Sequence, residues 1–240
     1  MSQIVNRAVR YEVEGRSFEG RLLFDGSSQG ARPGLLMAPN WMGVSARAID
    51  MAERVATRGY VVLVADLYGA DVRPQDAQQA SAAMMAVKDT PALRQRMQAA
   101  LMTLREQRDI PLDAARLATF GFCFGGHCTL ELARSGAEVQ ASISFHGTLS
   151  TADPADALNI KGAVLVLDGA ADPLVPREQL GEFVAEMLLA DVDWQLSSFA
   201  GAVHSFTDPL ANTPGRMQYD ARASQRAFAA MYELLDEVFA

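Results

Sequence analysis

Cys123 lies in the run Ala118-Thr119-Phe120-Gly121-Phe122-Cys123-Phe124-Gly125-Gly126. An apolar, strand-like stretch, residues 117–122, leads into a cysteine with glycine two positions before it and two after. A helix-prone segment, 129–134, follows at once. This is the spacing of a Gly-x-nucleophile-x-Gly elbow, with cysteine where serine is usual. A strand that turns sharply into a helix strains the nucleophile's backbone, and side chains two positions away would collide. Gly121 and Gly125 have no Cβ and relieve that crowding. The turn lifts the thiol clear of the sheet, beside a helix N-terminus whose partial positive charge favours thiolate. On this run alone, a buried structural cysteine next to a glycine-rich turn remains the alternative.

An elbow of this kind requires an acid and then a histidine, in that chain order. Residues 162–167 read as a buried strand that runs into Asp168-Gly169-Ala170-Ala171-Asp172-Pro173-Leu174-Val175-Pro176. Residues 194–199 read as a further strand, followed by Ala200-Gly201-Ala202-Val203-His204-Ser205-Phe206. Each candidate therefore follows the C-terminal end of a strand, where open α/β sheets place their ligand crevices. His204 can take the thiol proton, and Asp172 can hold its tautomer and steady the imidazolium. Asp168, directly after its strand and before a glycine, reads instead as a turn-forming aspartate bonded to its own backbone. The chain has three histidines. His127 starts the helix after the elbow, where its side chain is expected to point away from the thiol. His146 ends the strand at 140–145 but precedes the acid, so it reads as a polar pocket residue or a satisfied core histidine.

Elements that could position these residues alternate along the chain. Residues 7–13 and 17–24 alternate polar and apolar and read as an N-terminal hairpin. Core strands are expected at 35–38, 61–65, 117–122, 140–145, 163–167 and 194–199. Helices are expected at 46–57, 75–87, 91–107, 126–134, 177–189 and 218–239. Such alternation implies a mostly parallel sheet of about eight strands covered by helices on both faces. The alanine- and methionine-rich piece 76–102 reads either as a roof over the active site or as an ordinary crossover helix. Repeats, interdomain linkers and low-complexity tracts are not evident, and 240 residues suit a single domain, 1–240, with a large core.

Composition narrows the function classes. Half the residues are hydrophobic and the net charge is −8, which suits a soluble, mildly acidic protein without a basic patch for nucleic acid. No stretch reads as a signal peptide or as a membrane span. Cys123 and Cys128, five residues apart at a helix start, would face different ways, so a disulfide is not expected and a reducing, cytoplasmic setting is. Neither a metal-ligand cluster nor a phosphate-binding glycine loop is legible.

Four motifs together carry a resemblance over nearly the whole chain: the cysteine elbow, Ala65-Asp66-Leu67-Tyr68 at a strand end, the Asp172-Pro173-Leu174-Val175-Pro176 loop and His204-Ser205-Phe206. On these the chain resembles the dienelactone hydrolase family of α/β-hydrolases. The resemblance implies an α/β-hydrolase fold and hydrolysis of small esters or lactones by a Cys-His-Asp triad, without a cofactor. Cys123 would be the nucleophile, His204 the base and acid, and Asp172 its orienting carboxylate. The oxyanion hole would be the backbone N–H of Phe124 with that of Trp41, which lies in the loop Pro39-Asn40-Trp41-Met42-Gly43 after an early central strand. The Trp41 ring would also line the pocket, together with Phe124, Leu174 and Phe206.

The chain departs from the family's type member where substrate charge is read. That member has a glutamate before the oxyanion donor, engaging the resting thiol; here the residue is Asn40. Its carboxylate-binding arginines would fall near Gln79 and just after Phe206, where this chain carries Thr207 and Asp208. Dienelactone itself is therefore not the expected substrate unless another cation, Arg47, Arg73 or Arg216, reaches the site. The expected protein is a monomer or small homo-oligomer acting on a small ester or lactone. The alternative is a member of the fold that binds small molecules with little or no hydrolysis.

Overall fold

A computed structural model describes residues 3–240. Its eight main strands are β1 (Ile4–Val13), β2 (Arg16–Asp25), β3 (Arg32–Ala38), β4 (Val61–Val64), β5 (Leu112–Phe122), β6 (Ala141–Phe145), β7 (Ala163–Gly169) and β8 (Trp194–Phe199). They form one mostly parallel sheet in the order β1-β2-β4-β3-β5-β6-β7-β8. The helices are α1 (Ala46–Ala56), α2 (Ala77–Met85), α3 (Pro91–Arg105), α4 (Phe124–Arg134), α5 (Glu178–Leu189) and α6 (Ala221–Val238). By contact density the chain forms two compact units, one ending at Thr119 and the other starting at Phe120. Among the described residues, no helix is long and apolar enough to cross a membrane.

In the first unit the hairpin is longer than periodicity suggested, pairing from Ile4↔Asp25 to Val13↔Arg16. Glu14 (φ 51°) and Gly15 (φ 76°) both turn left-handed, the two-residue connection that matches strand twist. Strands β3 and β4 pair in parallel, and all four residues of β4 are buried, as a strand covered on both faces requires. Helix α1 opens on Ser45, whose side chain accepts the Ala48 N–H, and buries Ala48, Ala52, Val55 and Ala56 along one stripe. Helix α3 opens with Pro91 at its first position and packs on β1 and β3 through Leu93, Met97, Ala100, Leu101 and Leu104. This part of 76–102 is thus a sheet-covering crossover helix, whereas α2 buries only Ala80. Asp66, just past β4, is buried, and its carboxylate binds its own loop. Oδ1 accepts the N–H groups of Tyr68 and Gly69, and Oδ2 accepts those of Glu19 and the Arg73 guanidinium.

In the second unit β6, β7 and β8 run parallel, with Phe145 beside Leu167 and Leu167 beside Ser197. All eleven residues of α4 are buried. One of them, Arg134, would be costly there without partners. Its guanidinium makes two 2.7 Å bonds to Glu186, a 3.0 Å bond to Glu131 and a bond to the Leu149 carbonyl. A 3₁₀ turn at Pro154–Asn159, opened by Asp153, and a two-stranded ribbon of β9 (Asn212–Thr213) and β10 (Met217–Gln218) complete the unit. Neither leaves a periodic signal long enough to read from sequence.

Candidate active site

The elbow has the strained geometry its glycines imply. Cys123 has φ 56° and ψ −120° and sits at the N-terminal cap of α4. A non-glycine residue held there costs roughly 1–3 kcal/mol and persists only where its surroundings impose it. A Cβ on Gly121 would fall onto the Gly125 carbonyl, so a glycine is required where strand and helix cross. One on Gly126 would lie 2.6 Å from Ser144 Oγ. The Cys123 sulfur is partly exposed, whereas Cys128 is fully buried; both are free thiols. Burial, reinforced by the negative charge of Cys123 and Glu131, pushes the Cys128 thiol well above its ordinary value.

Asp172 and His204 occupy loops after β7 and β8 and meet through a 2.7 Å contact between His204 Nδ1 and Asp172 Oδ2. Both are buried, at 3% and 4% exposure. The other Asp172 oxygen accepts the Leu174 N–H at 2.8 Å, which aims the carboxylate. Leu174 itself is exposed at the loop's surface. Burial disfavours a charged His204, but the hydrogen bond to Asp172 and the nearby Cys123 and Asp172 outweigh it, raising the imidazole to about 10. Its Nε2 is buried and makes no well-formed hydrogen bond. Such contacts are often loose without substrate and tighten on binding. The His204 loop is tied to β10, whose Gln218 N–H donates to the His204 carbonyl, and Asp220 N–H reaches the Phe206 carbonyl.

His146 has a more specific place than a pocket residue. It is buried and has φ 40°. Its Nδ1 accepts the Cys123 N–H at 3.2 Å, while Nε2 lies 2.9 Å from Thr207 Oγ1. Its ring stands edge-on to those of His204 and Phe206, each with centroids 5.1 Å away. Burial first, and the neighbouring His204 second, hold its basicity well below the usual range. His127 is buried and stacks on Phe124. Phe206 has no accessible surface and packs between His146 and Phe199.

Asp168 is not a turn former. It lies within β7 and binds the Arg177 guanidinium through two bonds of 2.8 and 3.0 Å, with Ser198 Oγ at 2.6 Å. Arg177 also reaches the Val175 carbonyl, so this pair staples the loop that carries Asp172. A carboxylate before a glycine looks like a turn in sequence, and only the folded chain brings Arg177 and Ser198 to it.

In the first unit Asn40 Oδ1 accepts the Met42 N–H, and the Trp41 carbonyl accepts the Tyr68 hydroxyl at 2.8 Å. The loop is thereby pinned to the Tyr68 strand end. Arg73 is committed to Asp66 and to the carbonyls of Gly69, Val72 and Glu19, which removes it from the candidate substrate cations. Arg216 is exposed, and the Asp208 carboxylate accepts the Leu210 N–H of its own loop.

A mostly parallel eight-stranded sheet with helices and a strained cysteine elbow at a helix N-terminus are the architecture of the α/β-hydrolase class. The sequence profile of the dienelactone hydrolase family matches residues 20–239, and the chain belongs to that family. A solved structure named m3DLH is 40% identical, covers 99% of both chains and superposes with a TM-score of 0.92. A dienelactone hydrolase-like promiscuous phosphotriesterase from metagenomic libraries is 38% identical over 98% of both chains, with a TM-score of 0.90. A probable 2-oxo-3-(5-oxofuran-2-ylidene)propanoate lactonase of a Bradyrhizobium species is 27% identical over 188 residues, 74% of each chain.

Proposed function

We propose that the protein is a cysteine-dependent hydrolase of small neutral esters or lactones, acting through Cys123, His204 and Asp172 within a single α/β-hydrolase domain, 1–240. The 2.7 Å contact between His204 Nδ1 and Asp172 Oδ2 carries the reading, because it leaves Nε2 as the ring atom available to the thiol. The sulfur of Cys123 attacks the acyl carbon, and its proton resides on His204. The tetrahedral oxyanion is received by the backbone N–H of Phe124, a contribution of roughly 3–4 kcal/mol for one such donor in other hydrolases. Collapse expels the alcohol, protonated by His204, and leaves a thioester on Cys123. Water, deprotonated by the same imidazole, then releases the acid. Asp172 fixes the tautomer and stabilises the imidazolium throughout.

A neutral substrate is supported by Asn40 in place of a charged residue, by Asp208 after the histidine loop, and by the engagement of Arg73 with Asp66. Leu174 is a proposed pocket wall. The same chemistry applied to phosphorus makes a neutral phosphotriester a second substrate class, favoured by likeness to the promiscuous phosphotriesterase. Two free cysteines suit a reducing compartment, and the cytoplasm is the location proposed. The test is turnover of p-nitrophenyl acetate by the native chain and by Cys123→Ala. Loss of turnover with an intact fold is expected. Equal turnover would assign the protein to the binding-only class or to a different nucleophile.

A further inference from the structure

His146 lies outside the Cys123–His204–Asp172 set, yet its side chain touches both the Cys123 elbow and the loop that carries His204. Its Nδ1 faces a backbone N–H, that of Cys123, at 3.2 Å, and a donor there requires Nδ1 to be the unprotonated nitrogen. Nε2 therefore carries the ring proton and donates to Thr207 Oγ1 at 2.9 Å. Thr207 is buried and lies three residues after His204. One imidazole in one tautomer thus spans from the nucleophile's backbone to the base's loop. The ring also stands edge-on to that of His204, with centroids 5.1 Å apart.

The backbone supports the same conclusion. His146 is held at φ 40°, a left-handed conformation uncommon for any residue with a side chain, with its N–H bonded to the Leu167 carbonyl at 2.8 Å. The Phe145 carbonyl just before it accepts the Cys123 N–H as well, at 3.0 Å, so the end of β6 supplies two acceptors to the nucleophile's single donor. That sharing stabilises the strained φ of Cys123 directly. A histidine that merely filled the core would satisfy its nitrogens without meeting both loops.

We propose that His146 is a positioning residue that fixes the Cys123 elbow and the His204 loop relative to each other through its Cys123 N–H and Thr207 hydroxyl bonds. The inference rests on the reading of Cys123 as nucleophile and His204 as base.

Three variants test it. His146→Leu removes both bonds. His146→Asn tolerates a left-handed backbone and keeps an acceptor where Nδ1 stands, but loses the Thr207 bond. Thr207→Val removes only the second bond. Each is assayed for kcat and KM on p-nitrophenyl acetate across pH, and for the pH profile of Cys123 alkylation by iodoacetamide, with circular dichroism to establish folding. A misplacement of about 1 Å at a reacting group can cost on the order of a hundredfold. The expected result is a kcat for His146→Leu lower by roughly 10- to 100-fold, with KM nearly unchanged and the alkylation profile displaced. His146→Asn should recover part of that loss, and Thr207→Val should show an intermediate one. A folded His146→Leu with native kcat and profile overturns the proposal. Should that variant not fold, native kcat and profile in Thr207→Val overturn it instead. Full activity in Cys123→Ala would refute the underlying nucleophile assignment, a different outcome from activity lost there and kept in the His146 and Thr207 variants.

Discussion

Asp168, at the end of β7, and Asp172, in the loop after it, should respond to the same substitution in opposite ways. Asp172→Asn replaces the carboxylate 2.7 Å from His204 Nδ1 with an amide that either accepts weakly or, turned over, donates into Nδ1 and imposes the wrong tautomer. Asp172 supplies the first of the influences that raise His204 to about 10 against its burial, so an uncharged partner leaves a buried imidazolium opposed mainly by desolvation. In the serine-protease template the corresponding change costs about 10⁴-fold in kcat, equivalent to roughly 5 kcal/mol of transition-state stabilisation. The fold should survive, because the Asn Oδ1 can still accept the Leu174 N–H. Asp168→Asn removes the charge that holds Arg177 by two bonds and Ser198 by one. With Arg177 able to turn to water, the loss should be about 2–3 kcal/mol of stability. For a chain of this length that is roughly 5–10 °C in Tm, with kcat reduced far less. Thermal unfolding and initial rates on p-nitrophenyl acetate, measured for both variants, decide the matter. If Asp168→Asn abolishes turnover while Asp172→Asn mainly lowers Tm, the acid has been misassigned.

Cys123 should be alkylated by brief iodoacetamide treatment while Cys128, fully buried and with its thiol pushed up, stays unmodified in the folded protein; equal labelling by peptide mass spectrometry would contradict this. His146 resists protonation in the folded chain, whereas its unfolded counterpart takes a proton near pH 6.5, so its contribution to stability is lost as pH falls below that value. His146→Asn should show a flatter acid limb than the native chain in urea unfolding. A matched pair of esters, one neutral and one carrying a carboxylate, should differ in kcat/KM by up to about a hundredfold in favour of the neutral one, since like charges about 6 Å apart repel by nearly 3 kcal/mol at an effective dielectric near 20. Preference for the anion would mean that a cation such as Arg47 or Arg216 serves the site.

The sequence by itself determined the order and kind of the main elements, because their signals are local. Unbroken apolar runs mark β4 and residues 163–167 of β7, the Glu14-Gly15 pair closes the hairpin, and Ser45 and Pro91 open helices where their chemistry is wanted. The elbow was legible for the same reason, since Gly121 is needed where a Cβ would meet the backbone four residues on. What only the tertiary structure decided depends on partners far along the chain. β5 begins at Leu112, five residues before its apolar run, as part of the sheet. Asp168 is a clamp on Arg177 and Ser198, although its local sequence favours a turn. His146, 23 residues from Cys123 and 61 from Thr207, acquires its tautomer from both at once. A histidine's proton follows the donors and acceptors around the ring, and those are placed by the fold.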